Sequence, residues 1–221
     1  MKASKTGVIA FCGSKFSGKS TSATIFKDII DAPTEEIAIA GHLKEAASRV
    51  FGLDMNLFLD PKLKETELET LVVLDAQNLV GMMKEFDAEF NHQAHIRPHV
   101  GRVIRTPRSL LQYLGTEVLH PIDPLIHVKK AIRKKDPSKL TVITDLRFVA
   151  EFEYFKTSSL NFVPVYVKNA NAELKASVDG HPSERQFELF RTSCLLLPND
   201  GSMAELTERL SNLVRETYEQ A

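Results

Sequence analysis

Residues Gly13–Ser20 have the sequence GSKFSGKS, the most informative pattern in this chain. It satisfies the phosphate-loop pattern G-x-x-x-x-G-K-[ST], and it follows the apolar run Val8–Cys12, which predicts a buried strand. The residues after the loop, Thr21–Ile30, have the spacing of an amphipathic helix. A strand, a glycine-rich turn and a helix in this order favour a phosphate-binding loop over a simple glycine turn.

The loop is predicted to bind a nucleoside triphosphate. Its glycines let successive N–H groups and the N-terminus of the next helix face one polyphosphate. Lys19 then reaches the outer phosphates, and the Ser20 hydroxyl is a ligand for Mg²⁺. The residues expected to hold the nucleotide are Gly13, Ser14, Lys15, Ser17, Gly18, Lys19, Ser20 and Thr21.

Composition limits the classes of partner. The chain has 221 residues, 43% of them hydrophobic, which favours one α/β domain with insertions. Lys and Arg together number 28 and Asp and Glu 29, and the net charge of −1 argues against binding of polymeric nucleic acid. No membrane span or signal peptide is recognisable, so we expect a cytoplasmic protein. Cys12 and Cys194 are expected to be small buried side chains in a reducing compartment, with no catalytic role.

Strand and helix signals alternate along the chain, which predicts a parallel sheet. The five predicted strands are Val8–Cys12, Ile37–Ala40, Leu140–Thr144, Phe162–Val167 and Ser193–Leu197. Helical segments over about 42–138 form an insertion between the second and third strands, and polar residues over about 169–192 form a loop or lid region.

Two further turns place charged residues at the carboxyl ends of predicted strands. Gly41–Lys44 follows the second strand, and Asp145 and Arg147 follow the third. Ligands gather at this edge of a parallel sheet, so we expect these turns and the phosphate loop to face one cleft. Asp145 suits the water shell of Mg²⁺ or proton acceptance, and Arg147 suits bidentate binding of a phosphate. The alternative is an Asp–Arg pair that only closes the end of the strand.

A predicted helix from Arg108 to His120 joins an anion-binding side chain to an amide. At α-helical spacing Arg108, Gln112 and Gly115 share one face, which suits a phosphate and a base edge. The alternative is an ordinary surface helix with solvated side chains. Nearer the C-terminus, the segment 181–185 and Arg191 suggest a basic lid that excludes water, although these arginines can equally pair with neighbouring glutamates.

Together these motifs resemble the bacteriophage deoxynucleoside monophosphate kinases, a branch of the P-loop nucleotide kinases. The resemblance rests on the order of motifs along most of the chain, which are Gly13–Thr21, Ala40–Lys44, Leu110–Glu117 (LLQYLGTE), Thr144–Phe148 with Glu151, His181–Glu184 and Pro198–Gly201. It implies a single α/β domain over residues 1–221 with the P-loop NTPase, nucleoside monophosphate kinase-like fold. Its expected parts are a five-stranded parallel sheet flanked by helices, a helical acceptor-binding insertion and a short lid.

The resemblance also implies the reaction. The γ-phosphoryl group of ATP would pass, with Mg²⁺, to a deoxynucleoside monophosphate, giving ADP and the diphosphate for DNA synthesis, in the host cytoplasm if the gene is a phage's. The implied catalytic residues are Lys19, Asp145, Arg147 and Arg185, with Ser20 and Asp145 at the metal. The implied acceptor-binding residues are Lys44, Arg108, Gln112, Glu117, Arg147 and Glu151, and Asn199 would lie near the donor adenine.

Three alternatives stay open at this point. A dephospho-coenzyme A kinase has the same loop and a similar late asparagine turn. A P-loop ATPase or GTPase switch is less favoured, because the chain lacks the N-K-x-D sequence that reads guanine and carries arginines that a switch does not need. A nucleotide-binding assembly protein would bind without turnover. The bases accepted, the preference for deoxyribose and the formation of a homodimer are not decided by the sequence.

Overall fold

The strand before the phosphate loop is the centre of a five-stranded sheet in the computed structural model, which describes residues 6–88, 92–179 and 186–219. All five residues of β1 (Val8–Cys12) are buried, as expected for a central parallel strand covered on both faces. The other strands are β2 (Thr34–Ile37), β5 (Leu140–Ile143), β6 (Phe162–Lys168) and β7 (Leu195–Pro198). Their order is β2-β5-β1-β6-β7, and every pairing is parallel.

The predicted five-stranded parallel sheet flanked by helices is confirmed, but the position of its second strand is wrong. The sequence predicts Ile37–Ala40, and the observed strand ends at Ile37. Its sequence is TEEI and it lies at the edge of the sheet, where one side of a strand meets solvent. A search for apolar runs therefore passes over it.

Helices connect the strands and fill the segment between β2 and β5. The α-helices are α1 (Lys19–Ile29), α2 (Gly41–Phe51), α3 (Asn56–Leu59), α4 (Ala76–Glu85), α5 (His92–Ile96), α6 (Pro107–Gln112), α7 (Ile126–Ile132), α8 (Val149–Thr157), α9 (Ala170–Asp179) and α10 (Met203–Val214). Tyr113–Leu119 and Arg215–Glu219 are π-helical, and Leu63–Glu65, Arg97–His99, Gln186–Leu189 and Arg191–Ser193 are 3₁₀ turns. A short antiparallel pair joins β3 (Val72–Val73) and β4 (Val103–Ile104).

The chain divides into two compact units with separate cores. The sheet unit runs to Ile39 and resumes at Ile132, and the helical unit comprises Ala40–Ala131. The sheet unit's core includes Phe11, Phe26, Val142, Val165 and Leu210. The helical unit's core includes Leu79, Met82, Leu110, Leu114 and Val118.

Three helical boundaries differ from the predictions. Among the described residues of the helical pattern predicted over 68–90, the helix runs from Ala76 to Glu85. The Asp75 carboxylate caps its start by accepting from the Asn78 N–H at 2.7 Å. The polar segment predicted as a loop after β6 contains α9. The helix that begins near Arg108 changes to π geometry at Tyr113. Within the described ranges, no helix is long and apolar enough to cross a membrane.

Candidate active site

The phosphate loop has the backbone that its two glycines permit. Gly13 has φ 137° and Gly18 has φ 98°, both in the region that side chains disfavour. A Cβ at Gly13 would lie 2.5 Å from the carbonyl oxygen of Val167 in β6. A Cβ at Gly18 would lie 2.2 Å from Nδ2 of Asn199. Both glycines are thus required by torsion and by close packing at once.

Lys19, the first residue of α1, is held against the loop. Its Nζ donates to the carbonyl oxygen of Gly13 at 2.9 Å and to that of Ser14 at 2.7 Å. The ammonium group therefore lies beside the backbone that is predicted to wrap the phosphates. The structure in this way places a positive charge at the loop.

The remaining loop side chains differ in exposure. The side chains of Ser14 and Ser17 are buried, so these two residues would contact a nucleotide through their backbone groups. Ser20 and Thr21 are exposed in the first turn of α1. The helix N-cap is Gly18, which has no side chain to occupy the first amides. No side chain of the N-cap residue therefore covers this end of α1, and Ser20 is on its solvent side.

Asn199, which directly follows β7, is hydrogen-bonded to the phosphate loop. Its Nδ2 donates to the carbonyl oxygen of Ser17 at 2.8 Å, across 182 residues of sequence. Its backbone N–H donates to Lys168 at the end of β6, at 2.7 Å. The side chain thus ties the phosphate loop to the ends of β6 and β7. The sequence resemblance gave Asn199 a place near adenine and offered no sign of this tether.

Asp145 follows β5 and has one carboxylate oxygen bound to the backbone. Its Oδ1 accepts from the Ile39 N–H at 2.8 Å, which fixes the carboxylate at the end of the sheet. The carboxylate of Asp145 and the hydroxyl of Ser20 are hard oxygen donors, the kind that Mg²⁺ takes together with substrate phosphates. The donor set therefore fits Mg²⁺ by its chemistry. In the described part of the chain, no group of three or more His, Cys, Asp or Glu side chains could hold a metal ion alone.

Glu151 is buried beneath the turn that carries Asp145 and Arg147. Its Oε2 accepts from the backbone N–H of Arg147 at 2.9 Å and from that of Phe148 at 3.0 Å. Burial raises the pKa of Glu151 to about 7, although these two hydrogen bonds act in the opposite direction. With 3% of its surface exposed, Glu151 is placed to hold the turn. The Arg147 side chain is half-buried, and no hydrogen bond or ion pair of its guanidinium is found within the described ranges.

In the helical unit, Arg108 lies in the first turn of α6 and pairs with an acid. Its Nε donates to Oε1 of Glu65 at 2.6 Å, and its side chain is 23% exposed. The helix is capped by Thr106, whose Oγ1 accepts from the Ser109 N–H at 3.1 Å. Lys44 is half-buried in the first turn of α2.

The π-helical segment changes the face that the sequence predicts for Gln112 and Gly115. Gln112 ends α6 and is half-buried, whereas Gly115 is buried. A Cβ at Gly115 would lie 3.1 Å from Cδ2 of Leu43, so Gly115 packs against α2. Because a π-helical turn is wider than an α-helical turn, the side chains after Gln112 are rotated away from the α-helical positions. Glu117 is exposed in the same segment.

The predicted lid is only partly described. Arg185 lies outside the described residues, as does the whole stretch 180–185. Arg191 is exposed, with its Cζ 5.9 Å from the ring centroid of Tyr166 in β6. Tyr166 in turn donates from its hydroxyl to Glu173 of α9.

Two features of the sheet unit have no signal that would have identified them from the sequence. One is the Asn199 tether, and the other is the contact between Cys12 and Cys194, because both join residues 182 positions apart. Glu151 did carry a signal, since a glutamate three residues into a helix is typical of a reciprocal cap.

Comparison with known proteins gives one curated relative and remote structural likenesses. The relative is named "Putative deoxynucleotide monophosphate kinase", from Acanthamoeba polyphaga mimivirus, and is 27% identical over 123 residues, or 49% of this chain. The match spans 61% of that relative's length. No family model matches the chain.

Two solved structures overlap nearly the whole chain at low similarity. TT1252 from Thermus thermophilus has a TM-score of 0.41 and 17% identity, and covers 95% of this chain and 96% of its own. Dephospho-CoA kinase from Campylobacter jejuni has a TM-score of 0.42 and 12% identity, and covers 97% and 98%. At these scores the overlaps add nothing to the fold read from the sheet itself.

Proposed function

We propose that this protein is a deoxynucleoside monophosphate kinase, which transfers the γ-phosphoryl group of ATP to the 5′-phosphate of a deoxynucleoside monophosphate. The products are ADP and the deoxynucleoside diphosphate, for use in DNA synthesis. The observation that carries the proposal is the loop after β1, where Lys19 lies against two loop carbonyls beside an uncapped helix N-terminus. The name of the mimivirus relative supports the class of acceptor.

The sheet unit supplies the residues for the donor. Backbone amides of the loop would bind the polyphosphate of ATP, and Lys19 would stabilise the charge that moves with the γ-phosphoryl group. Ser20 and Asp145 would hold Mg²⁺, which neutralises phosphate charge when it is bound. The buried Glu151 fixes the turn, so that Arg147 can bind a phosphate without the turn having to reorganise.

The helical unit, which overlaps the predicted insertion over about 42–138, would supply residues for the acceptor. Lys44 and Arg108 carry the positive charge that a monophosphate requires. Arg108 would exchange the Glu65 carboxylate for the substrate phosphate, because both are anionic oxygen acceptors of similar geometry. Gln112 and Glu117 would contact the base or the sugar. Arg185 remains the proposed lid arginine on the strength of the resemblance alone.

A substrate panel tests the proposal. Purified protein is incubated with ATP and Mg²⁺ and with each of the four deoxynucleoside monophosphates, their ribonucleoside counterparts and dephospho-coenzyme A. Products are separated by chromatography, and Lys19→Ala purified in the same way controls for kinases carried over from the expression host. We expect one or more deoxynucleoside diphosphates to form with wild type and to be nearly absent with the variant.

The panel also separates the alternatives. Phosphorylation of dephospho-coenzyme A alone would replace the proposed acceptor. Release of inorganic phosphate from ATP without a phosphorylated acceptor would identify a hydrolysing switch. Binding of ATP with neither product would indicate a nucleotide-binding protein without turnover.

A further inference from the structure

Two cysteines meet at the base of the phosphate loop. Their Sγ atoms lie 3.9 Å apart, and both thiols are free. Cys12 is the last residue of β1 and is fully buried, and it immediately precedes Gly13 of the loop. Cys194 is half-buried and immediately precedes β7. One thiol therefore borders the loop, and the other is within reach of solvent.

Cys12 ends the strand on one side of β6, and Cys194 comes just before the strand on the other side, β7. Cys12 pairs in register with Tyr166, and on the other side Leu195, next to Cys194, pairs with Val165. A covalent bond between them would join β1 to β7 across the intervening strand. The bonded S–S distance is about 2.0 Å, so the two sulfurs must approach by nearly half of their present separation.

The environment gives the two thiols different reactivity. The hydrogen bond between them raises the pKa of Cys12, and burial raises it further. The same hydrogen bond lowers the pKa of Cys194. Cys194 is also the more accessible thiol, since it is half-buried and Cys12 is fully buried, and an oxidant from solvent therefore reaches Cys194 first.

We propose that Cys12 and Cys194 are a reversible disulfide site that controls the phosphate loop. The oxidant is a hydroperoxide. The Cys194 sulfur attacks one peroxide oxygen and the O–O bond breaks, so that Cys194 becomes a sulfenic acid and the other oxygen leaves as an alcohol, or as water where the oxidant is hydrogen peroxide. The Cys12 sulfur then attacks the Cys194 sulfur, the S–O bond breaks, and the Cys12 proton leaves with the hydroxyl as water. A dithiol reductant restores both thiols.

Closure of this bond would move the start of the loop. Gly13 follows Cys12 directly, its carbonyl accepts from Lys19, and its Cα packs against the Val167 carbonyl without space for a Cβ. A shift of Cys12 therefore displaces Gly13 and disturbs these contacts. Since this step rests on the proposed binding of ATP by the loop, we expect the oxidised form to bind ATP about tenfold more weakly.

The bond is tested without any nucleotide. Reduced protein is treated with hydrogen peroxide, the remaining thiols are alkylated under denaturing conditions, and peptides are mapped without reduction. We expect the Cys12 and Cys194 peptides to be linked, and the link to vanish with dithiothreitol. Two alkylated thiols, or an oxidised Cys194 beside a free Cys12, would refute the site.

Two variants separate the roles of the thiols. Cys194→Ser should leave Cys12 reduced under the same peroxide treatment, because Cys12 is buried. Cys12→Ala should accumulate a Cys194 sulfenic acid that dimedone traps. If Cys12→Ala does not fold, Cys194→Ser alone tests the order of attack, since oxidation of Cys12 in it would contradict the proposal.

ATP affinity of the reduced, oxidised and re-reduced protein then tests control of the loop. Equal affinities in a protein with a mapped bond would overturn that control. A reduced protein that binds no ATP would instead defeat the proposed function, and the mapped bond would be unaffected.

Discussion

The two units hold their candidate functional side chains in different ways. In the sheet unit the partners are backbone groups: Lys19 donates to loop carbonyls, Asn199 to the Ser17 carbonyl, and Glu151 accepts from two N–H groups. In the helical unit Arg108 is held by another side chain, that of Glu65, which is 47% exposed. The residues proposed for the donor are held by backbone groups of the fold, whereas the residue proposed for the acceptor is held by a side chain that a ligand could replace.

This difference predicts different costs of substitution. Groups that bind buried or partly buried backbone are positioned before a ligand arrives, and their loss changes the shape of the site. An ion pair with a solvated partner is worth little by itself and can give way to a stronger anion. The largest effects should therefore come from the sheet unit.

Replacement of Lys19 is the strongest test of the sheet unit. Lys19→Ala should lower the rate of phosphoryl transfer by about 10³-fold, equivalent to about 4 kcal/mol of transition-state stabilisation. The reason is that its ammonium group lies at the loop backbone, where charge develops on the transferred group. Steady-state kinetics with ATP and the best acceptor of the substrate panel give the measurement.

Lys15 provides the matched control in the same loop. Its Nζ lies 4.9 Å from the ring centroid of the exposed Phe16. In the proposed function, Lys15 contacts the nucleotide through its backbone N–H and not through its side chain. Lys15→Ala should therefore change the rate by only a few-fold. Equal losses in the two variants would mean that the loop needs positive charge in general and would remove the special role of Lys19.

Much of the sheet unit could be predicted, because its determinants are local in sequence. The loop is one continuous pattern, and β1 is five apolar residues with turn residues after it. Glu151 stands three residues into a helix, which is a known capping position. A hydrogen bond between residues that are close in the sequence requires particular residue types at neighbouring positions. Such local requirements can be recognised in a single sequence.

The remainder depends on contacts that a linear pattern does not carry. Asn199 meets Ser17 only because β7 and β1 flank the same strand. The polar edge strand β2 lacks an apolar run. The helix changes its hydrogen-bond period at Tyr113, and the sequence up to Gln112 does not indicate this change. Tertiary packing, absent from any local window, fixes each of these.

The buried carboxyl of Glu151 should make the stability of the protein depend on pH. Its pKa is about 7 in the folded protein against an ordinary value of 4.5, so the folded state keeps a proton that the unfolded chain releases. The resulting stability is complete below pH 4.5 and is lost as the pH rises through 7, by about 3 kcal/mol in all. Glu151→Gln should remove this slope. Urea unfolding at a series of pH values measures it.

Glu205 is the matched control for that variant. It also lies three residues into a helix, where it accepts from the Ser202 N–H at 2.6 Å, but it is exposed, and this hydrogen bond lowers its pKa. Its contribution is present above the ordinary pKa and lost as the pH falls. Glu205→Gln should therefore lower the free energy of unfolding at neutral pH, whereas Glu151→Gln should raise it. A shared sign in the two variants would contradict the burial of Glu151 as the cause.

The tether from Asn199 should have an intermediate effect. Asn199→Ala removes the hydrogen bond to Ser17 and the packing against Gly18, and should weaken ATP binding about tenfold, or about 1.4 kcal/mol. Binding of GTP should weaken by the same factor, because a tether acts on the loop and the loop would contact only the triphosphate, which ATP and GTP share. Equilibrium titration with each nucleotide measures the two factors.

The same experiment separates the tether from direct contact with adenine. If Asn199 read the base, the variant would lose affinity for ATP and keep its affinity for GTP. Asp200→Ala is the control within this turn, because Asp200 accepts from the Ala170 N–H at 2.7 Å and not from the loop. Its ATP affinity should stay within about twofold of wild type.

The smallest effect should come from the helical unit, at Arg108. Arg108→Ala should raise the KM for the acceptor by about fivefold and leave the KM for ATP unchanged, because a phosphate loses one charged contact there. Arg105 offers a matched pair, since its Nη1 lies 2.9 Å from Oε1 of Glu67 and its side chain is 68% exposed. Arg105→Ala should leave both KM values unchanged. If the two arginine variants behave alike, the Arg108–Glu65 pair is surface structure, and the acceptor phosphate is bound by other cations, of which Lys44 and Arg147 are the first to test.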